Sequence, residues 1–93
     1  MDRIDTIREK LEDALSPLHL EIIDESHHHA GHAGAASGAG HFNVTIVSGQ
    51  FSEQSPIARH RLVYLAVDAL MPAEIHALSI KALTPEEFES TKD

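Results

Sequence analysis

This chain of 93 residues has no cysteine and no tryptophan, and its aromatic side chains are three Phe and one Tyr. Without a thiol there is no disulfide framework, no Cys-type zinc site and no thiol nucleophile. Any soft-metal centre would have to draw its sulfur from a second molecule. Long apolar runs are missing as well: nothing approaches the eighteen residues or so that span a bilayer, so no membrane association is expected. Bases are scarce, with 7 Lys and Arg against 15 Asp and Glu, a formal charge of −8. Residues 1–25 carry eight acids and three bases, 53–83 three of each, and 84–93 four acids and one base. The acids therefore load the terminal segments and leave the middle neutral or locally basic. Phosphate-driven nucleic-acid binding, which needs several Lys and Arg contacts, is disfavoured by that balance. The start, Met1-Asp2-Arg3-Ile4-Asp5, lacks the basic region of a signal peptide and the acid-poor character of a transit peptide, so a cytoplasmic location is the expectation.

What the chain has in excess is histidine. Five of its eight histidines fall between Ser26 and Ser52, a stretch without any Asp, Glu, Lys or Arg. The run Ser26-His27-His28-His29-Ala30-Gly31-His32-Ala33-Gly34 continues through Ala, Gly and Ser to Gly40-His41. Neutral imidazole is a versatile metal ligand that titrates near neutrality, so this segment offers nitrogen rather than oxygen ligands. Its bland alternative is a solvated connection with incidental histidines, since a His-rich tract signals metal only through composition.

The elements around it are readable. Ile4, Ile7, Leu11, Ala14 and Leu15 recur at helical spacing, and Ser16-Pro17 ends that helix. Residues 18–25 read as a strand with Leu20 and Ile22 inward. Residues 41–48 alternate, with Phe42, Val44 and Ile46 on one face and His41, Asn43 and Thr45 on the other. The connection at about 26–40 is far longer than a hairpin loop, and a flexible, functional segment is expected there. Ser55-Pro56 supplies an N-cap and a first-turn proline for a helix running to about Leu70, stopped by Met71-Pro72. A third strand follows at about 75–82, and Thr84-Pro85-Glu86-Glu87 is a capping-box signature for a short last helix containing Phe88. The order α-β-β-α-β-α implies a single α+β domain, a two-layer sandwich whose three-stranded mixed sheet carries its helices on one face.

Three further positions carry candidate chemistry. His76 opens the third strand and, by alternation, shares the face of Leu78 and Ile80; a hydrogen-bonded core histidine and a metal ligand are both open readings. If the start of that strand lies near the end of the first, His76 and the histidine segment converge at one edge. Arg59-His60-Arg61, with Lys81, is a short basic group that fits a nucleic-acid or partner contact. The alternative is an exposed basic turn with His60 directed at the sheet. Enzyme signatures are missing: no nucleophile elbow occurs, and Gly31, Gly34, Gly38 and Gly40 precede a strand rather than a helix. A non-enzymatic role is expected. A helix-turn-helix reading fails because strands flank the one long central helix.

Taken together, Asp24-Glu25-Ser26, His41-Phe42-Asn43-Val44, Phe51, Ser55-Pro56, Arg59-His60-Arg61-Leu62-Val63-Tyr64, Ile75-His76-Ala77-Leu78-Ser79-Ile80 and Thr84-Pro85 resemble the BolA family over nearly the whole chain. The Arg-His-Arg helix and the Ile-His-Ala-Leu strand are the most specific parts. The resemblance implies a fold likened to the type II KH domain without its GxxG clamp. It also implies partnership with a monothiol glutaredoxin bearing a Cys-Gly-Phe-Ser motif. Such a pair shares a [2Fe-2S] cluster for cluster trafficking or iron sensing. The glutaredoxin and glutathione supply sulfur and the BolA-like chain supplies histidine. By that resemblance His76 is one ligand, and counting on from Glu25-Ser26 matches His29 to the other, with His27, His28 and His32 as neighbouring alternatives. A chain without cysteine fits a Rieske-like set of two thiolates and two imidazoles, in which nitrogen ligation raises the potential. In isolation the chain is then expected to be a clusterless monomer. Glu53 departs from the family, many of whose members have Gly two residues after the Phe matching Phe51. Some members are linked to transcriptional control, stress response and cell morphology, so the rival expectation is a DNA-binding regulator, with DNA bound weakly.

Overall fold

The computed structural model describes residues 3–25, 40–71 and 75–90, the side chain of His76 excepted. Its order is α1 (Arg3–Leu15), β1 (His19–Asp24), β2 (Gly40–Val47), a 3-10 turn (Gly49–Phe51), α2 (Pro56–Ala66), a second 3-10 turn (Asp68–Leu70), β3 (Ile75–Leu83) and α3 (Pro85–Ser90). The strands lie in the order β1-β2-β3, with β1 antiparallel and β3 parallel to β2. Three helices on a three-stranded mixed sheet is the expected α+β architecture. Among the described residues no helix is long and apolar enough to cross a membrane.

The core follows from the two periodicities. Ile7, Leu11 and Leu15 of α1 and Val63 and Val67 from α2 and its cap are buried at helical spacing. They meet Ile22, Phe42, Val44, Ile46 and Leu78, which alternate along the strands. The helix around Val63 ends earlier than its apolar pattern suggests. The α-helix stops at Ala66, and Val67 opens a 3-10 turn in which Leu70 N–H donates to Val67 O at 2.9 Å. That tighter turn keeps Leu70 and Met71 packed against the core.

Two further details refine the expectation. The helices of the core face are α1 and α2. Phe88 of α3 instead stacks on His19 at 5.0 Å between ring centroids. His19 lies one residue out of step with Leu20 and Ile22, so α3 covers one end of the opposite face. The cross-strand neighbour there, Val47, is fully buried outside the main core cluster. The turn after β2 is anchored by buried Ser48, whose hydroxyl donates to Leu15 O at 2.7 Å and accepts from Gln50 N at 3.1 Å. One side chain thus caps the end of α1 and starts the turn that seats the fully buried Phe51.

Glu53, the departure from the family pattern, has φ 64, in the left-handed region that costs any residue with a Cβ about 1–2 kcal/mol. It is exposed, so its side chain has little packing to lose. Glu53→Gly is expected to raise stability by about 0.5–1 kcal/mol, glycine's extra unfolded-state entropy offsetting part of the relief. Urea denaturation midpoints compared at equal slope read the effect.

Candidate functional site

The upper end of the sheet gathers what the sequence keeps apart. β1 leaves the sheet at Asp24, and Glu25 N–H donates to His41 O at 2.8 Å. β2 begins at Gly40, paired with Ile75 at the start of β3. Both ends of the histidine-bearing connection therefore lie where β3 begins. His27, His28, His29 and His32 themselves lie outside the described residues.

The backbone of His76 sits at an irregularity in this pairing. Gly40 aligns with Ile75 but His41 aligns with Ala77, so His76 is the extra residue of a bulge. Fully buried Ile75 and buried Leu78 are three apart rather than two or four. Alternation therefore changes parity across His76. Counting back from Leu78 and Ile80 does not assign its face. Bulges re-aim side chains and are over-represented near functional sites. Among the described residues no group of three His, Cys, Asp or Glu side chains is placed to hold a metal ion.

The second candidate group divides into sequestered and exposed members. Arg59 is largely sequestered: its guanidinium donates to Gln54 O at 2.9 Å and Ala82 O at 3.1 Å, and clamps the Glu87 carboxylate at 2.6 and 3.3 Å. Glu87 is also the reciprocal partner of Thr84, the hydroxyl accepting from Glu87 N at 3.1 Å and the carboxylate from Thr84 N at 2.9 Å. The Arg59 hydrogen bond first, and the Thr84 N–H second, hold the Glu87 carboxyl below its ordinary value. His60 Nε2 lies 3.3 Å from Ile80 O, which can only accept, so the ring donates from that nitrogen. The turned-in reading of His60 describes this contact. Arg61 and Lys81 are exposed.

One feature had no sequence signal. Tyr64 donates its hydroxyl to Leu78 O at 3.1 Å. With Arg59 on Ala82 O and His60 on Ile80 O, three alternate carbonyls along the outer edge of β3 each receive a side chain from α2. An open strand edge is an aggregation hazard, and these donors cover its alternate carbonyls from Leu78 to Ala82. Two small depressions flank His60 along this edge, one against Pro56, Arg59 and Ala82 and the other against Tyr64, Leu78 and Ser79.

Residues 11–87 match the BolA-like protein family. The chain belongs to the BolA family. Mouse BolA-like protein 1 is 46% identical over 88% of this chain and 58% of its own length. The solved BolA domain of SufE1 from Arabidopsis thaliana is 45% identical over 94% of this BolA chain and 96% of that one, with a TM-score of 0.82. The DNA-binding transcriptional regulator BolA of Escherichia coli is 37% identical over 94% of this chain and 80% of its own. The chain spans only 23–58% of the length of several curated relatives, the mouse protein and a plant SufE-like protein among them.

Proposed function

We propose that this BolA-family chain is a non-enzymatic iron–sulfur adaptor, joining a monothiol glutaredoxin and glutathione around a shared [2Fe-2S] cluster. The observation that carries the reading is the meeting of three chain segments at one sheet end: Glu25 leaving, Gly40 returning, and the His76 bulge between Ile75 and Ala77. The donor chemistry agrees, because this chain brings imidazoles and no thiolate. His76 would hold the cluster from the strand, and His29 from the connecting segment, with His27 and His32 as its neighbours. When bound, the cluster supplies one-electron chemistry or is itself the cargo handed on. The chain's own task is to present nitrogen at a fixed place and leave the sulfur side to the partner. A cytoplasmic setting belongs to the same proposal.

The second reading, a transcriptional regulator, is favoured by the name of the Escherichia coli relative. The charges work against it here. Arg59 is engaged by Glu87, which leaves Arg61 and Lys81 as the free cations of the candidate group on a chain of net charge −8. Two phosphate contacts release roughly two counterions, far fewer than a tight DNA complex needs.

The test is reconstitution. Purified chain incubated with iron, sulfide and glutathione and then desalted is expected to retain no visible chromophore. Addition of a Cys-Gly-Phe-Ser glutaredoxin should give a visible absorption and circular-dichroism spectrum distinct from that of the glutaredoxin alone. A stable cluster on this chain by itself, or a mixed spectrum equal to the glutaredoxin's own, would overturn the reading.

A further inference from the structure

β3 is an edge strand, held by β2 on one side and by side chains of α2 on the other. Its main-chain groups alternate between these two supports. At its far end Ser48 N–H donates to Leu83 O at 3.0 Å, so the carbonyls of odd-numbered residues face β2. Those of Leu78, Ile80 and Ala82 face outward and receive Tyr64, His60 and Arg59. The regular ladder starts at Ala77, opposite His41, and is broken just before it by the bulge at His76. The bond from the Tyr64 hydroxyl to Leu78 O, at 3.1 Å, is therefore the α2 contact nearest the bulge, one residue past Ala77.

We propose that Tyr64 is a positioning residue that keeps the bulge of β3 on His76. Because successive residues face opposite sides, a bulge moves along a strand only by turning the residues it passes. One step toward Ile80 would bring His76 into the ladder opposite His41 and swing the Leu78 carbonyl off the outer edge. The tyrosine bond opposes that step, and burial of the Leu78 side chain acts in the same sense. The reference point is firm, since the preceding residue of α2, Val63, is fully buried in the core. His60 and Arg59 bind carbonyls farther along, where the pairing with β2 is regular, so they do not decide where the bulge falls. On the adaptor reading given above, on which this consequence rests, Tyr64 sets where the chain meets the cluster. It does so through the main chain of His76.

Tyr64→Phe keeps the ring and deletes the one donor. Ser55→Ala is the control, because it removes a bond of similar weight at the start of the same helix, from Ala58 N–H to Ser55 Oγ at 3.1 Å. The first readout needs no metal: NMR relaxation dispersion on the chain alone, measured at the main-chain amides of residues 75–78. Tyr64→Phe is expected to bring exchange broadening at His76 and Ala77 while Val44 and Ile46 stay quiet, and Ser55→Ala to bring none. The second readout is the lifetime of the cluster reconstituted with a Cys-Gly-Phe-Ser glutaredoxin and glutathione. Tyr64→Phe should shorten it about fivefold, the equilibrium weight of one neutral hydrogen bond, and Ser55→Ala should leave it unchanged.

Amides at 75–78 as quiet in Tyr64→Phe as in the native chain overturn the proposal. Loosened amides with an unchanged cluster lifetime overturn the part of it that reaches the ligand. If the native chain forms no mixed cluster while Tyr64→Phe still loosens residues 75–78, the adaptor reading fails and the anchoring of the bulge stands.

Discussion

His76→Ala is expected to abolish the mixed cluster or shorten its lifetime at least about tenfold, the scale on which lost support around a metal site is felt. The argument rests on where the backbone of this residue is held. It is the extra residue of a bulge between Ile75, which is fully buried, and the Ala77–His41 pairing, so its main chain is fixed from both sides. A ligand on such a strand brings little ordering cost to the site; the proposal gives the second ligand position to His29. His29→Ala should therefore also labilise the cluster, with partial rescue from His27 or His32 of the same run. His76→Cys separates ligation from folding. A thiolate at this position should keep a cluster while lowering its reduction potential and altering its spectrum, since imidazole ligation is what raises the potential of Rieske-type centres. His60→Ala makes the contrast, because its ring is committed to Ile80 O and its loss should affect stability more than colour. An unchanged spectrum and lifetime for His76→Ala would leave a core histidine as the meaning of this position.

The parts of this molecule that were legible in the sequence are those written in local periodicity. Phe42, Val44 and Ile46 alternate and are buried. Ser55 caps α2, accepting from Ala58 N at 3.1 Å, and Thr84 and Glu87 form the reciprocal box their spacing announces. The parts that were not legible depend on residues distant in sequence. The bulge at His76 arises where β3 pairs with Gly40, some 35 positions earlier, and nothing in Ile75-His76-Ala77 marks it. Strict alternation from Leu78 and Ile80 therefore does not reach across the bulge, and the side chain of His76 lies outside the described ones. Phe88 meets His19 rather than the main core because α3 crosses the end of the sheet, a packing choice that a six-residue helix does not record. That β2, where the histidine-bearing segment ends, begins beside the start of β3 was foreseeable from topology alone, since a hairpin followed by a parallel crossover returns the third strand beside the second. Arg59 is the opposite case. Within Arg59-His60-Arg61 it reads as one more solvated base, and its carboxylate partner stands 28 residues away.

That hidden partnership leads to the second large effect. Arg59→Met keeps the apolar stem and removes the donors that tie α2 to the 82 carbonyl of β3 and to α3. The side chain is only 14% exposed, so water does not replace these bonds freely. A loss of about 2 kcal/mol at neutral pH is expected, in the range for charged hydrogen bonds to partly buried acceptors. The pH dependence has a definite sign. Because Arg59 and the Thr84 N–H hold the Glu87 carboxyl below its ordinary value, the ionised form binds the native state better than the unfolded one. That contribution is fully present above the ordinary Glu range, near about 4.3, and fades as pH falls through it toward the depressed native value. Native chain and Arg59→Met should therefore differ most at neutral pH and draw closer on acidification, the part due to the Gln54 and Ala82 carbonyls remaining, as read by thermal midpoints between about pH 7 and pH 3. Glu87→Gln removes the same ionisation while keeping an acceptor for the Thr84 N–H, so it should flatten the acid limb yet leave α3 folded. A gap between native and Arg59→Met that stays constant across that range would mean that Arg59 acts through the Gln54 and Ala82 carbonyls alone.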